Sequence, residues 1–298
     1  MKILSGKELS ELIQAELAGE AAALKKLGCT PTLAVIRVGE DEATGIYVRN
    51  KVRAAAKVGL HSEDIHLPAS TSQSELEAKV ECLNSDPAVH GLICQLPLPG
   101  HLNEKRLPER IDPLKDVDCF HPLNFGLMAM GTPRFLPCTP AGIIEILLRY
   151  EVPVAGQHVV VLGRSNIVGR PVAMMLGHKG IDATVSLCHS RSKDAAQLMR
   201  QADILVAAIG QPEWVKADML KEGAVVIDVG VHQVPDPSRK RGYRICGDVD
   251  QADAASRAAA MTPVPGGVGP VTITMLLKNT IAAARMQMGG PQGGDTPA

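Results

Sequence analysis

Short apolar runs alternate with helical stretches along most of the chain. Residues 7–27 place Leu9, Leu12, Ile13 and Leu17 on one face of a helix. TLAVIRVG (32–39) is an apolar run closed by glycine and predicts a buried strand. Residues 43–59 are rich in Ala, Lys and Arg and predict a helix that stops at Gly59. HSEDIHLP (61–68) predicts a second strand, 73–85 a helix, and VHGLICQLPLP (89–99) a third strand ending on proline. Residues 113–128 have no clear period and are expected to form a long loop, a class of segment that is often functional. TPAGIIEILLRY (139–150) predicts a helix with Thr139 as N-cap and Pro140 at its first position. The second half repeats the rhythm, with strands expected at 158–163, 183–190, 203–210 and 224–230. Helices are expected from near Val168, over 194–202 and over 271–288.

This alternation implies parallel sheets covered by helices, and VPVAGQ (152–157) is a plausible junction between two α/β domains. The 298 residues suffice for one large or two ordinary domains, and 45% apolar with 21% charged residues describes a globular chain. Aromatic residues are only 2%, which argues against stacking platforms for single-stranded nucleic acid. Net charge is −1 with no long basic block, so neither nucleic acid nor an anionic membrane is an expected partner. The seven cysteines are scattered without a C-x-x-C pair, which points to a reduced, cytoplasmic setting rather than a disulfide framework. No His, Cys, Asp and Glu cluster has metal-ligand spacing, so no metal is expected. The N-terminus is too polar for a signal peptide, and no run of eighteen apolar residues suggests a membrane span. Residues 289–298 are Gly/Pro-rich and read as a disordered tail.

Candidate chemistry begins at VVVLGRSNIVGRP (159–171), a strand, a glycine and then a helix start. Such a turn offers free backbone amides to a phosphate, and Gly169 permits close approach. The full G-x-G-x-x-G pattern is absent, so an ordinary βα turn competes with this reading. The next strand ends in HSRS (189–192), where NAD-binding folds usually carry an acidic residue for the ribose hydroxyl. A hydroxyl and a guanidinium suit a 2′-phosphate instead, and Arg164 adds a second cation, which favours NADP. Arg191 as a solvated loop residue is the competing view. Tyr47 and Lys51 stand four apart and share a helix face, although lysines on such helices are commonly solvated.

Longer stretches then identify a family. YVRNKVRAAAKVGL (47–60), GLICQLPLP (91–99), PLKDVDCFHPLN (113–124), PCTPAGIIEIL (137–147), VLGRSNIVGRP (161–171), ATVSLCHSRS (183–192), GAVVIDVG (223–230) and TPVPGGVGPVTITML (262–276) run in order over nearly the whole chain. Together they resemble the bifunctional methylenetetrahydrofolate dehydrogenase / methenyltetrahydrofolate cyclohydrolase family. The resemblance implies an N-terminal catalytic α/β domain over 1–138, joined by the C-terminal helix 271–288. It implies a Rossmann-type NADP domain over 139–270, a folate cleft between the two, and a homodimer. It also implies NADP-dependent oxidation of 5,10-methylenetetrahydrofolate, hydrolysis of the methenyl product to 10-formyltetrahydrofolate, and a place in one-carbon supply to purine, histidine and methionine biosynthesis.

By the same resemblance Lys51 is the catalytic lysine, Tyr47 an active-site tyrosine, Gln95 the glutamine beside the lysine, and Asp118 the aspartate that holds the pterin. Pro265, Gly266, Gly267 and Val268 are expected to line the folate site. Cofactor contacts are expected at Thr139, Gly163, Arg164, Ser165, Ile167, Ser190, Arg191, Gly210, Val231 and Thr272. The chemistry agrees. Hydride removal from the methylene carbon needs orientation more than a strong acid. Hydrolysis needs a group that accepts and returns a proton near neutral pH, which lysine does if burial or a neighbour lowers its pKa from about 10.4. Gln95 is neutral and hydrogen-bonds the amine without fixing its charge. Lone His121 reads as structural, and His189 as at most an assistant to the 2′-phosphate contacts.

Two positions depart from the family pattern. Cys119 replaces the usual glycine, at a cost of about 1–2 kcal/mol if that backbone needs positive φ. Val231-His232 stands where Ile-Asn is common. The Cys119 change keeps open a dehydrogenase with weak or absent cyclohydrolase activity. A non-catalytic nucleotide-binding protein is a third reading, disfavoured by Lys51, Gln95 and Asp118 occurring together.

Overall fold

The computed structural model describes residues 1–39, 42–239 and 241–289; of 42–44, 46 and 47 it describes the backbone only. In chain order the elements are β1 (Lys2–Ile3), α1 (Gly6–Lys26), β2 (Thr32–Val38), α2 (Glu42–Val58), β3 (His61–Leu67), α3 (Gln73–Ser85), β4 (Gly91–Cys94), α4 (Pro122–Ala129) and α5 (Cys138–Arg149). There follow β5 (His158–Leu162), α6 (Gly169–Leu176), β6 (Thr184–Cys188), α7 (Ala195–Met199), β7 (Ile204–Ala207) and β8 (Val225–Asp228). The chain closes with β9 (His232–Pro235), β10 (Tyr243–Cys246), α8 (Gln251–Ala254), β11 (Ala260–Met261) and α9 (Val268–Gln287).

Contacts divide the described residues into two compact units, one of residues 1–10 with 139–272 and one of 11–138 with 273–289. The first holds a six-stranded parallel sheet in the order β1-β11-β8-β7-β5-β6 and a separate antiparallel hairpin, β9–β10. β5 and β7 are interior strands whose side chains are buried on both faces, which is why HVVVL and ILVA read as unbroken apolar runs. Residues 1–10 differ from the sequence expectation. They group with 139–272 because β1 pairs in parallel with β11 at the sheet edge.

The second unit holds a parallel sheet in the order β3-β2-β4. β2 is its centre and is buried along nearly its whole length. α3 starts in a capping box, in which the Glu75 amide donates to Ser72 Oγ at 3.3 Å and the Ser72 amide to Glu75 Oε2 at 2.8 Å. Three expectations need correction. The third strand is β4 alone, and Gln95 to Pro99 leave the ladder. Residues 122–129 form α4 rather than loop, with His121 accepting the Leu123 amide at its start. α5 begins at Cys138, so Thr139 lies inside its first turn and is not its cap. The tail 290–298 lies outside the described residues. Among the described residues no helix is long and apolar enough to cross a membrane.

Candidate active site

Lys51 sits on α2 and is only 6% exposed. Its Nζ donates to Gln95 Oε1 at 2.9 Å, and Gln95 Nε2 donates to the Leu96 carbonyl at 2.9 Å. The second bond sets the amide so that its oxygen faces the lysine. Gln95 follows β4, and its own amide donates to the Ile36 carbonyl of β2 at 2.8 Å. Burial lowers the Lys51 pKa, and the negative charge of Asp118 works against that shift. Tyr47 lies one helical turn before Lys51 on α2, but its side chain is outside the described residues.

Asp118 is carried by a loop that a different aspartate organises. Asp116 is buried and accepts the amides of Phe120 at 3.0 Å and His121 at 2.9 Å and the Asn124 side-chain amide at 2.8 Å. Arg134 donates to Asn124 Oδ1 at 3.1 Å and holds that amide in place. Asp116 and Asp118 line one pocket with Leu96, Leu107 and Phe120. Cys119 has φ 60°, so the position does require the left-handed backbone that favours glycine. Its buried thiol donates to the Phe135 carbonyl at 3.3 Å, and burial pushes its pKa up. Buried Cys138 donates to the Val117 carbonyl at 3.4 Å, and burial and then the negative charge of Asp118 push its pKa up. Lys51, Gln95 and Asp118 therefore belong to one unit and one charge environment, while Pro265, Gly266, Gly267 and Val268 belong to the other unit. There the Gly266 carbonyl accepts the Lys7 amide at 2.8 Å and the Gly267 carbonyl packs on Gly6.

The nucleotide turn follows β5. Gly163 has φ 120°, and a Cβ there would lie 2.0 Å from the Ala208 carbonyl oxygen. A Cβ on Gly169 would meet the Gly163 carbonyl at 2.0 Å, so this glycine lets the helix reach the turn itself. The anion site differs from the simple helix-end expectation. Ser165 Oγ accepts the amides of Val168 at 3.1 Å and Gly169 at 3.4 Å, and the Ser165 carbonyl accepts that of Arg170 at 3.0 Å. The first amides of α6 are thus occupied. Among the described residues the amides of Arg164, Ser165, Asn166 and Ile167 have no partner, so the donors free for an anion lie in the loop. Arg164, Ile167, Ser190 and Arg191 are exposed. His189 accepts the Arg191 amide at 3.1 Å through Nδ1, a turn contact. Thr139 and Thr272 meet, with hydroxyls 3.2 Å apart. Gly210 and Val231 stand exposed just beyond β7 and β8. A close-approach turn with unpaired amides and two exposed arginines fits a phosphorylated dinucleotide.

Sequence reasoning missed three buried acids: Asp116, Asp228 and Asp248. The signal for Asp228 was available, an acid closing the apolar run AVVID. Burial pushes the Asp228 carboxyl up to about 6, against amide bonds from Asp248, Val249 and Gly230 that pull it down. An unfolded chain releases that proton near pH 4. Between about pH 4 and 6 the folded chain holds a proton that the unfolded chain has lost, so this group's contribution to stability falls as pH rises. Urea midpoints measured over that window should fall less steeply for Asp228→Asn than for the parent chain.

Comparisons with known proteins give the same answer for both halves. The catalytic-domain model of the tetrahydrofolate dehydrogenase/cyclohydrolase family matches residues 4–118, and the NAD(P)-binding-domain model of that family matches residues 137–288. The Bifunctional protein FolD of Prosthecochloris aestuarii is 51% identical over 286 residues, covering 94% of this chain and 97% of that protein. The solved bifunctional FolD of Campylobacter jejuni is 43% identical with a TM-score of 0.91, covering 96% of this chain and 99% of that one. The Trypanosoma brucei methylenetetrahydrofolate dehydrogenase-cyclohydrolase, solved with NADP cofactor and inhibitor, is 42% identical with a TM-score of 0.91, covering 96% and 98%.

Proposed function

The chain belongs to the tetrahydrofolate dehydrogenase/cyclohydrolase family, and from that premise we infer that it oxidises 5,10-methylenetetrahydrofolate with NADP and hydrolyses the 5,10-methenyl product to 10-formyltetrahydrofolate. The observation that carries the hydrolytic half is the buried Lys51–Gln95 pair. Burial biases the amine toward its neutral form, and Gln95 presents only an acceptor oxygen to it. Lys51 then takes a proton from the attacking water and returns it as the ring opens. Asp118 binds the pterin through its amine and amide N–H donors. Tyr47 stacks on the pterin, and Pro265, Gly266, Gly267 and Val268 complete the substrate contacts.

NADP, when bound, supplies the hydride acceptor. The loop amides of Arg164 to Ile167 and the side chains of Arg164, Ser190 and Arg191 hold its phosphates. Gly163, Gly210, Val231, Thr139 and Thr272 supply the remaining contacts. The catalytic domain is proposed over residues 11–138 with 273–289, and the NADP domain over 139–272 with 1–10. The wider reading is a cytoplasmic homodimer in one-carbon supply to purine, histidine and methionine biosynthesis. Sedimentation of the purified chain tests the dimer.

The dehydrogenase-only alternative rested on Cys119. Its thiol is turned to the Phe135 carbonyl, and it leaves Lys51 and Gln95 bonded. The deciding assay follows absorbance with 5,10-methylenetetrahydrofolate and NADP, in parallel with NAD. Reduced nicotinamide must appear, and the methenyl signal must then decay to the formyl product. A persistent methenyl signal would return the case to a dehydrogenase alone, and no signal with either nucleotide would sink the dehydrogenase activity.

The 2′-phosphate argument has its own test. Removing one charge-assisted contact of about 1.5–3 kcal/mol corresponds to roughly a 10- to 100-fold loss of affinity. Arg191→Ala should weaken NADP by that factor and NAD far less. Equal effects on the two nucleotides would remove the assignment of Arg191.

A further inference from the structure

Asp248 is fully buried, and a carboxylate in such a place must be thoroughly hydrogen-bonded. Four donors converge on it. Oδ2 accepts the amides of Ile209 at 2.7 Å and Gly210 at 3.1 Å; Oδ1 accepts the amide of Gln211 at 2.9 Å and the His232 ring Nε2 at 2.7 Å. A carboxylate only accepts, so the bridging proton sits on the imidazole. Three consecutive amides on one side chain fix the loop that leaves the carboxyl end of β7. The histidine ties to it the segment that leaves the carboxyl end of β8. Loops at the carboxyl ends of parallel strands are where such sheets bind ligands.

A second carboxylate fixes the first. Asp228 accepts the amides of Gly230 at 3.0 Å and Asp248 at 2.9 Å through Oδ1, and of Val249 at 3.1 Å through Oδ2. Any Cβ on Gly247 would lie on top of Asp228 Oδ2, so the 247–248 backbone reaches this acid only because residue 247 is glycine. Gly210 and Val231 themselves are exposed, Val231 at 65%, and have no core packing to hold them. Their conformation is therefore set from below by carboxylates.

We propose that Asp248, bridged by His232, is a positioning residue for the dinucleotide: it holds the loop of Gly210 and the segment of Val231 in the conformation that binds NADP. The proposal rests on the reading that these two residues contact the cofactor. The full chain is titrated with NADP by calorimetry, and steady-state constants are measured beside it. Asp248→Asn puts one acceptor oxygen and an unwanted N–H group before three amides and a ring N–H. NADP affinity should fall at least tenfold, with KM for NADP rising and kcat held within about threefold. Hydrolysis of 5,10-methenyltetrahydrofolate without nucleotide should stay within twofold and shows that the chain is folded.

If Asp248→Asn does not fold, a pair at the partly exposed His232 decides. His232→Leu removes the donor and should weaken NADP severalfold; His232→Gln places an amide N–H where Nε2 stands and should restore affinity to within twofold. A purely packing role would treat the two alike, and equal affinities would overturn the proposal. So would unchanged NADP affinity in a folded Asp248→Asn. Val231→Asp separates the underlying reading. If it leaves NADP affinity unchanged, the segment does not meet the cofactor and both ideas fall. If it weakens NADP while His232→Leu does not, only the positioning role is lost.

Discussion

Replacing Lys51 with methionine is expected to cut hydrolysis of 5,10-methenyltetrahydrofolate by at least about 100-fold, the lower end of what a positioned acid–base group supplies. Methionine keeps the length and apolar stem of the side chain, so α2 should stay packed. The loss comes from two sources. The proton acceptor disappears, and Gln95 Oε1 loses the donor that stands 2.9 Å away. The NADP turn lies in the other compact unit, so NADP affinity should stay within about twofold of the parent. Loss of NADP affinity would show that Lys51 has been given the wrong role. Lys51→Arg is the informative companion. It keeps a cationic donor toward Gln95 but does not release its proton, so it should be nearly as inactive as the methionine variant. Activity retained by arginine would mean that the group acts by charge alone.

The Gly163→Ala variant should lose NADP binding altogether and unfold roughly 10 °C earlier. The added methyl would sit 2.0 Å from the Ala208 carbonyl oxygen, at a backbone φ of 120°. Neither partner is a flexible side-chain end, because both belong to paired strand termini: the Gly163 amide donates to the Cys188 carbonyl and the Ala208 amide to the Leu162 carbonyl. The cost of about 4 kcal/mol or more is that of a strained backbone added to a steric clash, and a chain of this size loses about 2–4 °C per kcal/mol. Differential scanning calorimetry with and without NADP checks both halves. A parent-like melting temperature that still rises with NADP would mean the turn relaxes freely.

What the sequence revealed depended on how locally each feature is determined. β2 and β5 were legible because a strand buried on both faces needs an unbroken apolar run. α3 was placed to the residue, although the capping box of Ser72 and Glu75 that fixes its start went unread. α4 was not, because PLNFGLMA is apolar almost all round and buries only Asn124 and Met128, which leaves no stripe to read. β9 and β10 have four residues each and no fully buried run, and β1 and β11 are two-residue strands fixed by each other across the chain. In the site, the resemblance named Lys51, Gln95 and Asp118, but the Lys51–Gln95 bond joins residues 44 apart and needs the fold to exist. Asp248 was silent because its work is on amides of residues 209–211, and nothing in the spacing of an acid from a distant loop marks that pairing.

Neither compact unit is a continuous stretch of polypeptide, and this bears on how the chain is made. β1 leaves the ribosome long before its partner strand, Ala260 and Met261 of β11. The other unit waits for residues 273–289, which are made after all of 139–272. The usual advantage of folding N-terminal modules while later ones are still being translated is therefore denied to this protein. At about 5–20 residues per second, roughly 13–50 s separate β1 from β11, and for that time the six-stranded sheet stays incomplete while β2, β3 and β4 are already made. That is the interval in which its apolar strands are open to chaperones, and in which a stop codon anywhere before α9 leaves no finished unit behind.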